Sequence, residues 1–322
     1  MSFISVIIYS YITVACLLVY FIIRDSKING LFFNKYKKLG HSLVVILIFG
    51  IFAALYSHFI EPFILTVKTV EIKSSQIKDA VQIVFISDIQ VGKHKKSAWV
   101  EKIAEKIITI NPDLVIFGGD LIANEGTFEN ESVYLQPLAK IAEKYPSFYV
   151  LGNHEHGLGH LNLRKTYLGT GNRTQELIDE MKKLKIVSLN NSLSCLNVRN
   201  QELCLFGTDD VYAGKADYFA LKNLPTSTPL LFVTHNPDGI LSYPKTFPKP
   251  LLTLAGHTHG GQVYLPLFGP LGRVDLILPN NFYRGLNYWQ ELPVYTSIGA
   301  GESGGQVRFL AWPEIISLKL TP

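Results

Sequence analysis

The segment LLTLAGHTHGGQVYLP, from Leu251 to Pro266, places two histidines one residue apart at the end of a hydrophobic run. The run stops at Ala255, and glycines lie on either side of the His257 and His259 pair. A short apolar run of this kind is typical of a strand that is buried on both faces. A threonine between two histidines in extended backbone would send the imidazoles to opposite sides, and the glycines would let the chain turn tightly. The segment therefore predicts a buried strand that ends in two separately directed imidazoles.

Four other apolar runs end in the same way, on side chains that can bind a cation or hold a proton. VQIVFIS is followed by Asp88-Ile89-Gln90, DLVIFGG by Asp120, SFYVLG by Asn153-His154-Glu155, and PLLFVT by His235. In open α/β sheets, functional groups gather beyond the carboxyl ends of the strands. One such residue is usually structural, but five independent runs that all stop on a possible ligand indicate a shared metal site.

Amphipathic segments alternate with these strands. SAWVEKIAEKIITINP, QPLAKIAEKYP and TQELIDEMKKLK each have apolar residues at helical spacing. In the first of them, the apolar positions between Val100 and Ile108 share one face, and Asn111-Pro112 ends the helix. The chain beyond residue 66 is therefore predicted to be an α/β domain.

The N-terminal part of the chain is much more apolar than the rest. The 322 residues are 48% hydrophobic, with a mean hydropathy of +0.20. Two uncharged or nearly uncharged runs, residues 1–23 and 43–65, are each long enough to cross a hydrocarbon core, which needs about 20 helical residues. The first run has neither the basic start nor the cleavage site of a secretory signal. Although a buried core helix is the alternative, we predict a two-helix membrane anchor over residues 1–66 and a second domain over residues 67–322.

The flanking charges indicate how the anchor is oriented. Five basic residues lie between the runs and three follow the second, namely Arg24, Lys27, Lys35, Lys37 and Lys38, and then Lys68, Lys73 and Lys78. The positive-inside rule then makes the connecting loop cytoplasmic and the large domain extracytoplasmic. Cys195 and Cys204 lie nearly opposite each other in a predicted hairpin, where a disulfide would agree with that side. Of the two alternatives, we expect unpaired thiols.

The motifs SDIQ, GGDLI, GNHE, THNPD and GHTHGGQ, in this order and at these spacings, resemble those of the calcineurin-like metallophosphoesterases. The likeness covers roughly residues 67–322. The segments GHTHGGQVYLP and GQVRFLAWPEIISLKL look like the bacterial, membrane-anchored branch of the family, some members of which hydrolyse UDP-2,3-diacylglucosamine. The resemblance implies a four-layer α/β/β/α sandwich, preceded here by two transmembrane helices in a bacterial inner membrane.

The resemblance also implies two divalent metal ions, with manganese expected first and magnesium, zinc or iron as alternatives. One ion would be held by Asp88, Gln90, Asp120 and His259, and the other by Asp120, Asn153, His235 and His257. A hydroxide that bridges the two ions would attack the phosphorus atom. The catalytic residues would be His154, which would donate a proton to the leaving group or stabilise charge, and Glu155, which would orient it.

This chain has Gln90 where the family usually has a histidine. If Gln90 is only a spacer, the protein is a catalytically silent membrane scaffold that binds metal or phosphoester without turnover. A glutamine carbonyl is, however, a competent ligand for hard cations, and an oxygen donor tilts the site from zinc toward manganese or magnesium. We favour the active enzyme.

The net charge of the chain and its predicted membrane anchor limit the classes of partner that we expect. A net charge of +4 and a pI of about 8.7 suit an anionic partner, but without a strong basic face they give no reason to expect nucleic acid. We expect a lipid bilayer and a phosphoester or pyrophosphate substrate, lipid-linked, with UDP-2,3-diacylglucosamine as the sharpest candidate. That compound is made on the cytoplasmic side, against the charge count, so a phosphodiesterase that acts on an extracytoplasmic ester is the alternative. Candidate substrate contacts are Gly92–Lys96, Arg164, Lys165, Arg173 and Arg284.

Overall fold

The computed structural model describes residues 3–28, 30–126, 130–161, 164–168 and 170–322. It begins with two long helices, α1 (Phe3–Lys27) and α2 (Leu31–Phe59), which pack against each other. Many of their large apolar side chains are exposed, among them Phe49 at 71% and Phe52 at 67%. Residues Ser5–Lys27 and Lys35–Phe63 are long and apolar enough to cross a membrane by length and composition. A helix pair with exposed apolar faces is suited to a bilayer rather than to water.

Sixteen strands follow in the described part of the chain. In chain order they are β1 (Thr66–Lys73), β2 (Val81–Ile86), β3 (Leu114–Gly118), β4 (Ser147–Val150), β5 (Leu158–Leu161), β6 (Arg164–Tyr167), β7 (Val187–Ser188), β8 (Ser192–Val198), β9 (Gln201–Gly207), β10 (Leu230–Val233), β11 (Leu252–Ala255), β12 (Tyr264–Leu265), β13 (Gly269–Pro270), β14 (Gly285–Trp289), β15 (Leu292–Thr296) and β16 (Glu314–Thr321). Helices α3 (Ser97–Ile110), α4 (Ala139–Ala142) and α5 (Thr174–Lys183) lie among them.

The first sheet has the strand order β1-β16-β2-β3-β4-β7. Strands β2, β3, β4 and β7 are parallel, whereas β16 is antiparallel to β2, and β1 is parallel to β16. Thr66 pairs with Glu314, and Ile316 pairs with Phe85. The starts of β1 and β16 therefore lie at the same edge of the sheet as the ends of β2, β3 and β4. We call this edge the ligand edge, because Asp88, Asp120 and Asn153 follow those strand ends.

The second sheet has the order β14-β15-β11-β10-β9-β8 and packs face to face on the first. Strands β9, β10, β11 and β15 are parallel, with β8 and β14 antiparallel at the two sides. Ile83 and Phe85 of the first sheet and Leu231 and Val233 of the second are fully buried in the shared core. Because His235 and His257 follow the ends of β10 and β11, both sheets contribute candidate ligands to one rim.

The outer layers differ between the two sheets. Helices α3, α4 and α5 cover the first sheet, as expected for a sandwich of this kind. The second sheet is covered by 3-10 turns at Phe219–Leu221, Pro237–Ser242 and Asn280–Tyr283, and the described residues place no α-helix there. The predicted two-sheet α/β fold is confirmed, and its fourth layer is made of short turns.

Two of the three predicted helices form over most of their length. In α3, Val100, Ile103 and Ile107 are fully buried, and an asparagine in left-handed conformation ends the helix. The segment QPLAKIAEKYP forms only the four-residue α4, preceded by a 3-10 turn at Glu131–Leu138. Pro137 lies in that turn and has no N–H for an α-helical hydrogen bond, which accounts for the shorter helix.

The hairpin of β8 and β9 corrects the expectation for the cysteines. Cys195 and Cys204 are direct cross-strand partners, and the structure joins them in a disulfide. The expected unpaired thiols are therefore wrong, and Cys16 is the free cysteine among the described residues.

Candidate metal centre

The structure brings all seven predicted ligands together at the ligand edge. Each of them is buried, with an exposed fraction of 4% or less, and they are Asp88, Gln90, Asp120, Asn153, His235, His257 and His259. The two carboxylates and three imidazoles converge from the loops after β2, β3, β10 and β11. Burying so many polar groups is costly unless they are paired or bind a cation.

Asp120 lies at the centre of this group. Its Oδ2 is 3.1 Å from His235 Nε2 and accepts a 3.1 Å hydrogen bond from Gln90 Nε2. His154 Nε2 is 3.7 Å from the same oxygen. One carboxylate oxygen therefore faces groups from three separate strand ends, as expected for a ligand shared between two ions.

Backbone carbonyls orient two of the imidazoles. His235 Nδ1 is 2.8 Å from the Gly118 carbonyl, and His259 Nδ1 is 3.1 Å from the Gly301 carbonyl. The opposite nitrogen of His259 lies 3.4 Å from Asp88 Oδ1. An N–H that donates to a carbonyl fixes the neutral ring so that Nε2 keeps its lone pair for a metal, which is the usual arrangement behind metal-binding histidines.

Asn153 is held in a similar way. Its Nδ2 donates to the Leu158 carbonyl at 2.6 Å, so its Oδ1 faces His257 Nδ1 at 2.8 Å. The backbone N–H of His257 also donates to the Asp88 carboxylate at 3.1 Å. These contacts connect the first-sheet and second-sheet halves of the site.

The buried Gln90 Oε1 makes no hydrogen bond with the described residues, and the buried His235 Nε2 faces the Asp120 carboxylate at 3.1 Å. Both are atoms that can donate a lone pair to a cation. Asp120, His235 and His257 also each offer a ligand atom within 4.8 Å of the others. The residues present therefore fit divalent metal ions, with oxygen and nitrogen donors and no thiolate.

The charged groups of the site shift one another's pKa values. Burial raises the pKa of Asp88 to about 6. Burial alone would raise the pKa of Asp120, but His235 and His154 lower it below the usual range. Burial likewise lowers the pKa of His235, whereas the adjacent Asp120 raises it well above the usual value. In the absence of metal, a proton on His235 thus compensates part of the negative charge.

The backbone around the ligands is unusual and corrects one expectation. Asp88, Gln90 and Asp120 have φ between +49° and +52°, and His257 and His259 have φ of +71° and +50°. Left-handed backbone is uncommon in residues other than glycine, and it clusters at functional sites. The His-Thr-His segment is therefore a tight turn and not extended chain. Its two imidazoles still separate, one toward Asn153 and the other toward Asp88.

Two glycines permit the close packing of the carboxylates. A Cβ at Gly152 would overlap Asp120 Oδ1, and a Cβ at Gly256 would overlap Asp88 Oδ2. These glycines are needed for close approach and not for conformational freedom, since neither has positive φ. They directly precede the Asn153 and His257 positions, which explains the Gly-Asn and Gly-His order in the motifs.

The structure assigns Glu155 a different task from the one expected. Its carboxylate accepts hydrogen bonds from four backbone N–H groups, those of Asp120, Leu121, Ile122 and Gly152. The ring of His154 is instead oriented by the Ala123 carbonyl, 2.5 Å from its Nδ1. The expected orientation of His154 by Glu155 is wrong, and Glu155 positions the backbone that carries Asp120.

A cavity of about 240 Å³ opens beside this group of ligands. Besides His154 and several ligands, its lining includes Gln262, Arg273 and Ser303. Ser303 Oγ is 3.4 Å from His154 Nε2, and the Gln262 side chain bonds both the N–H and the carbonyl of Ser303. Sequence reasoning gave these three residues no role, because Gln262 ends the GHTHGGQ motif without being one of its predicted ligands, and Arg273 and Ser303 belong to no strand end or metal motif.

Most of the predicted substrate contacts face elsewhere. Lys95 is buried between Glu302 and the Pro62 carbonyl, and Arg173 is buried beside Glu131 and Glu176. Arg284 donates to the Leu310 carbonyl and stacks on a tyrosine ring. The side chains of Arg164 and Lys165 lie outside the described part of the structure. Among the described side chains, Arg273 is the arginine that lines the cavity.

The chain is similar in sequence to known proteins. Residues 81–278 match the family model described as calcineurin-like phosphoesterase. The chain is 30% identical over 243 residues to phosphodiesterase YaeI of Escherichia coli (strain K12), which covers 74% of this chain and 82% of that protein. It is 29% identical over 273 residues to the uncharacterized metallophosphoesterase YkuE of Bacillus subtilis (strain 168), with 81% of this chain and 87% of that protein covered.

A relative from Bos taurus, described as a transmembrane protein with metallophosphoesterase domain, is 26% identical over 79% of this chain and 56% of its own length. Among solved structures, TT1561 of Thermus thermophilus matches with 12% identity and a TM-score of 0.42, over 69% of this chain and 91% of that one.

Proposed function

Because this chain belongs to the calcineurin-like phosphoesterase family, we propose that it is a membrane-anchored, dinuclear-metal-dependent phosphoesterase with a lipid-linked substrate. One observation carries the proposal. Six buried side chains with oxygen or nitrogen donors surround the carboxylate of Asp120. Within the described structure Gln90 Oε1 makes no hydrogen bond, and His235 Nε2 lies 3.1 Å from Asp120 Oδ2. Such a group of donors is stable when it binds cations.

We assign one ion to Asp88, Gln90, Asp120 and His259, and the other to Asp120, Asn153, His235 and His257. When bound, the two ions supply a nucleophilic water at neutral pH and neutralise the phosphoryl oxygens. Four positive charges against two carboxylates leave the site positive, which favours an anionic ester.

The chain itself supplies position and a proton. The Ala123 carbonyl holds the Nδ1 side of His154, so that its Nε2 faces the cavity. From there His154 can give a proton to the leaving oxygen or stabilise charge on it. Glu155 acts indirectly, because its four hydrogen bonds from backbone N–H groups fix the turn that carries Asp120. Arg273 at the cavity wall is suited to bind a phosphate oxygen.

Gln90 supports an active site rather than a silent one. Its side chain is 2% exposed, and its amide lies against Asp120, whereas a spacer would be free to point away. Because its amide offers oxygen in place of imidazole nitrogen, we propose manganese as the native metal.

The anchor favours a substrate at the bilayer, with UDP-2,3-diacylglucosamine as the named candidate and an extracytoplasmic phosphodiester as the second. The Cys195–Cys204 disulfide supports the second, since disulfides persist in oxidising compartments. A reporter fused to the C-terminus tests the side. A cytoplasmic signal would retain UDP-2,3-diacylglucosamine as a candidate substrate, whereas an external signal would exclude it as the substrate.

The enzymatic proposal is tested with the full chain in lipid nanodiscs. We expect Mn²⁺-dependent hydrolysis of a chromogenic phosphodiester, reduced more than about 100-fold by Asp120→Ala through loss of the shared ligand. Asp179→Ala, an exposed aspartate of α5, should retain wild-type turnover. Stoichiometric metal binding without hydrolysis of any ester would instead identify a silent scaffold.

A further inference from the structure

Residues 264–278, which we call the apolar finger, expose four large hydrophobic side chains beside the cavity. Leu267 is 92% exposed, Ile277 80%, Phe268 74% and Leu271 55%. The antiparallel pair of β12 and β13 places Leu267 and Phe268 at the tip of a hairpin. The stretch Gly272–Val274 of the same segment lines the cavity. So many exposed apolar side chains in one short segment are typical of a surface that contacts another apolar phase.

The membrane anchor reaches the domain at this same end. Helix α2 passes through a 3-10 turn at Glu61–Phe63 into β1, and β1 starts at the ligand edge. The anchor and the metal centre therefore share one edge of the sandwich. A chain that entered through the opposite edge would have held the site away from the bilayer.

A single loop, residues 299–313, connects the anchor to the site. The Arg308 N–H donates to the Ser57 carbonyl of α2 at 2.8 Å, and the Ala311 N–H donates to Glu61 Oε1 at 2.7 Å. The guanidinium of Arg308 is fully buried and bonds Glu302 and several loop carbonyls. The loop is therefore fixed rigidly to the end of the membrane helix.

The same loop carries the base of the apolar finger. Tyr264 donates its N–H to the Phe309 carbonyl, and Phe309 donates to the Gln262 carbonyl, each at 2.9 Å. Phe309 is the residue after Arg308, so the finger starts one residue from the contact with α2. Trp312, 43% exposed, donates its indole N–H to Tyr56 of α2. Tryptophan and tyrosine at such a position are typical of a membrane interface.

We propose that the apolar finger inserts Leu267 and Phe268 into the bilayer beside the anchor, so that the metal centre opens onto the membrane surface. The chain from Val263 to Leu267 at the tip of the hairpin spans at most about 13 Å, enough to enter the headgroup and upper acyl region, about 5–10 Å deep. The occupant of this surface is the lipid itself. Exposed Lys93 and Lys96, in the loop after the first motif, suit anionic headgroups.

The contact with the bilayer also has a consequence for the substrate, and this consequence rests on the proposed function. A lipid phosphoester would keep its acyl chains in the bilayer while its headgroup enters the cavity past the finger. The class of substrate would then be an ester of a membrane lipid, with the phosphorus near the headgroup plane.

The first test is a position measurement that needs no turnover. In a Cys16→Ser background, Phe268→Cys carries a nitroxide label in full-length protein reconstituted in nanodiscs. The matched control is Tyr288→Cys, 64% exposed near the end of β14 at the opposite edge. For each label we compare the collision rate with oxygen, which concentrates in lipid, and the collision rate with a water-soluble nickel chelate. The ratio of the first rate to the second should be at least about three-fold higher for the label at residue 268 than for the control label.

A label at residue 268 that is as accessible to the nickel chelate as the control would overturn the proposal. Protection from both collision partners would also overturn it, because another protein surface would then cover the finger.

The second test measures turnover. Leu267→Ser/Phe268→Ser should lower hydrolysis of a membrane-embedded phospholipid roughly ten-fold or more, since it removes two apolar contacts with the bilayer. Hydrolysis of a water-soluble chromogenic diester should be unchanged. If the double variant keeps wild-type activity on both the phospholipid and the soluble diester, the result contradicts lipid delivery by the apolar finger. If neither substrate is hydrolysed even by the wild type, the proposed function fails while the label result still decides where the finger lies.

Discussion

Glu155→Gln is the perturbation that best separates a positioning residue from a catalytic one. The carboxylate of Glu155 is fully buried, with Oε1 accepting from the Leu121 and Ile122 N–H groups and Oε2 from those of Asp120 and Gly152. A glutamine keeps one acceptor oxygen. Its NH2 group would then face two backbone N–H donors that have no other acceptor in these contacts.

The magnitude follows from those two donors. A buried donor left without a partner costs about 1–3 kcal/mol, so two of them reduce the free energy of unfolding by about 4 kcal/mol. For a domain of this size, 1 kcal/mol corresponds to roughly 2–4 °C in Tm, which predicts a decrease of about 10 °C. The turn that carries Asp120 should loosen as well, so metal affinity should fall at least about ten-fold.

The assay is thermal unfolding of the full chain in detergent with chelator present, so that bound metal does not contribute. Glu176→Gln is the control, because it makes the same chemical change at a side chain that is 26% exposed and paired with Arg173. Its Tm should stay within about 2 °C of wild type. A Glu155→Gln variant with unchanged Tm and metal affinity but an altered pH dependence of turnover would refute this reasoning and restore a direct role in proton transfer.

Three further outcomes are expected. When the protein is loaded from an equimolar mixture of manganese and zinc, Gln90→His should raise the ratio of bound zinc to bound manganese roughly ten-fold. Metal analysis of the purified variant measures this ratio. Metal binding near pH 6 should release protons, because burial raises the pKa of Asp88 to about 6 and the adjacent carboxylate of Asp120 raises the pKa of His235 against the opposing effect of burial. Titration calorimetry in two buffers of different ionisation enthalpy measures this proton release. The release would be absent if both groups were already deprotonated. Of the 3 cysteines, one should react with an alkylating reagent before reduction and all of them after it; three reactive thiols in the unreduced native protein would disprove the Cys195–Cys204 disulfide.

The strands and the grouping of the candidate ligands were predictable because their signal is local. Each of the five apolar runs forms a strand whose residues face packed layers on both sides, so hydrophobicity alone marks it. The side chain that follows each run is then placed at the carboxyl end of a strand by geometry. For this reason Asp88, Asp120 and His235 could be assigned to one rim without knowledge of strand order.

What the sequence did not reveal depends on partners far along the chain. The backbone of His257 and His259 is left-handed because Asp88 and Gly301 fix its surroundings, and neither is a neighbour in sequence. Glu155 was assigned to its adjacent histidine, whereas its acceptors satisfy amides more than thirty residues away as well as that of Gly152. Ser303 reaches the site through the pairing of its loop with Gln262 and with the Asp88 carbonyl, which accepts from the Gly301 N–H.

The direction of one strand connects the anchor to the chemistry. In the first sheet, β1 runs opposite to β2, β3 and β4, because it pairs in parallel with β16, which is itself antiparallel to β2. A helix that leads into β1 must therefore meet the sheet where the central strands end, and those ends carry the candidate ligands. Had β1 been parallel to β2, the same anchor would have held the metal centre at the far side of the sandwich, roughly 20 Å away for strands of about six residues. The register of Thr66 with Glu314 thus places the N-terminal helices and the candidate metal centre at one edge of the sandwich. If these helices span a bilayer, as we propose, a lipid ester should be more accessible to the site than a dissolved one.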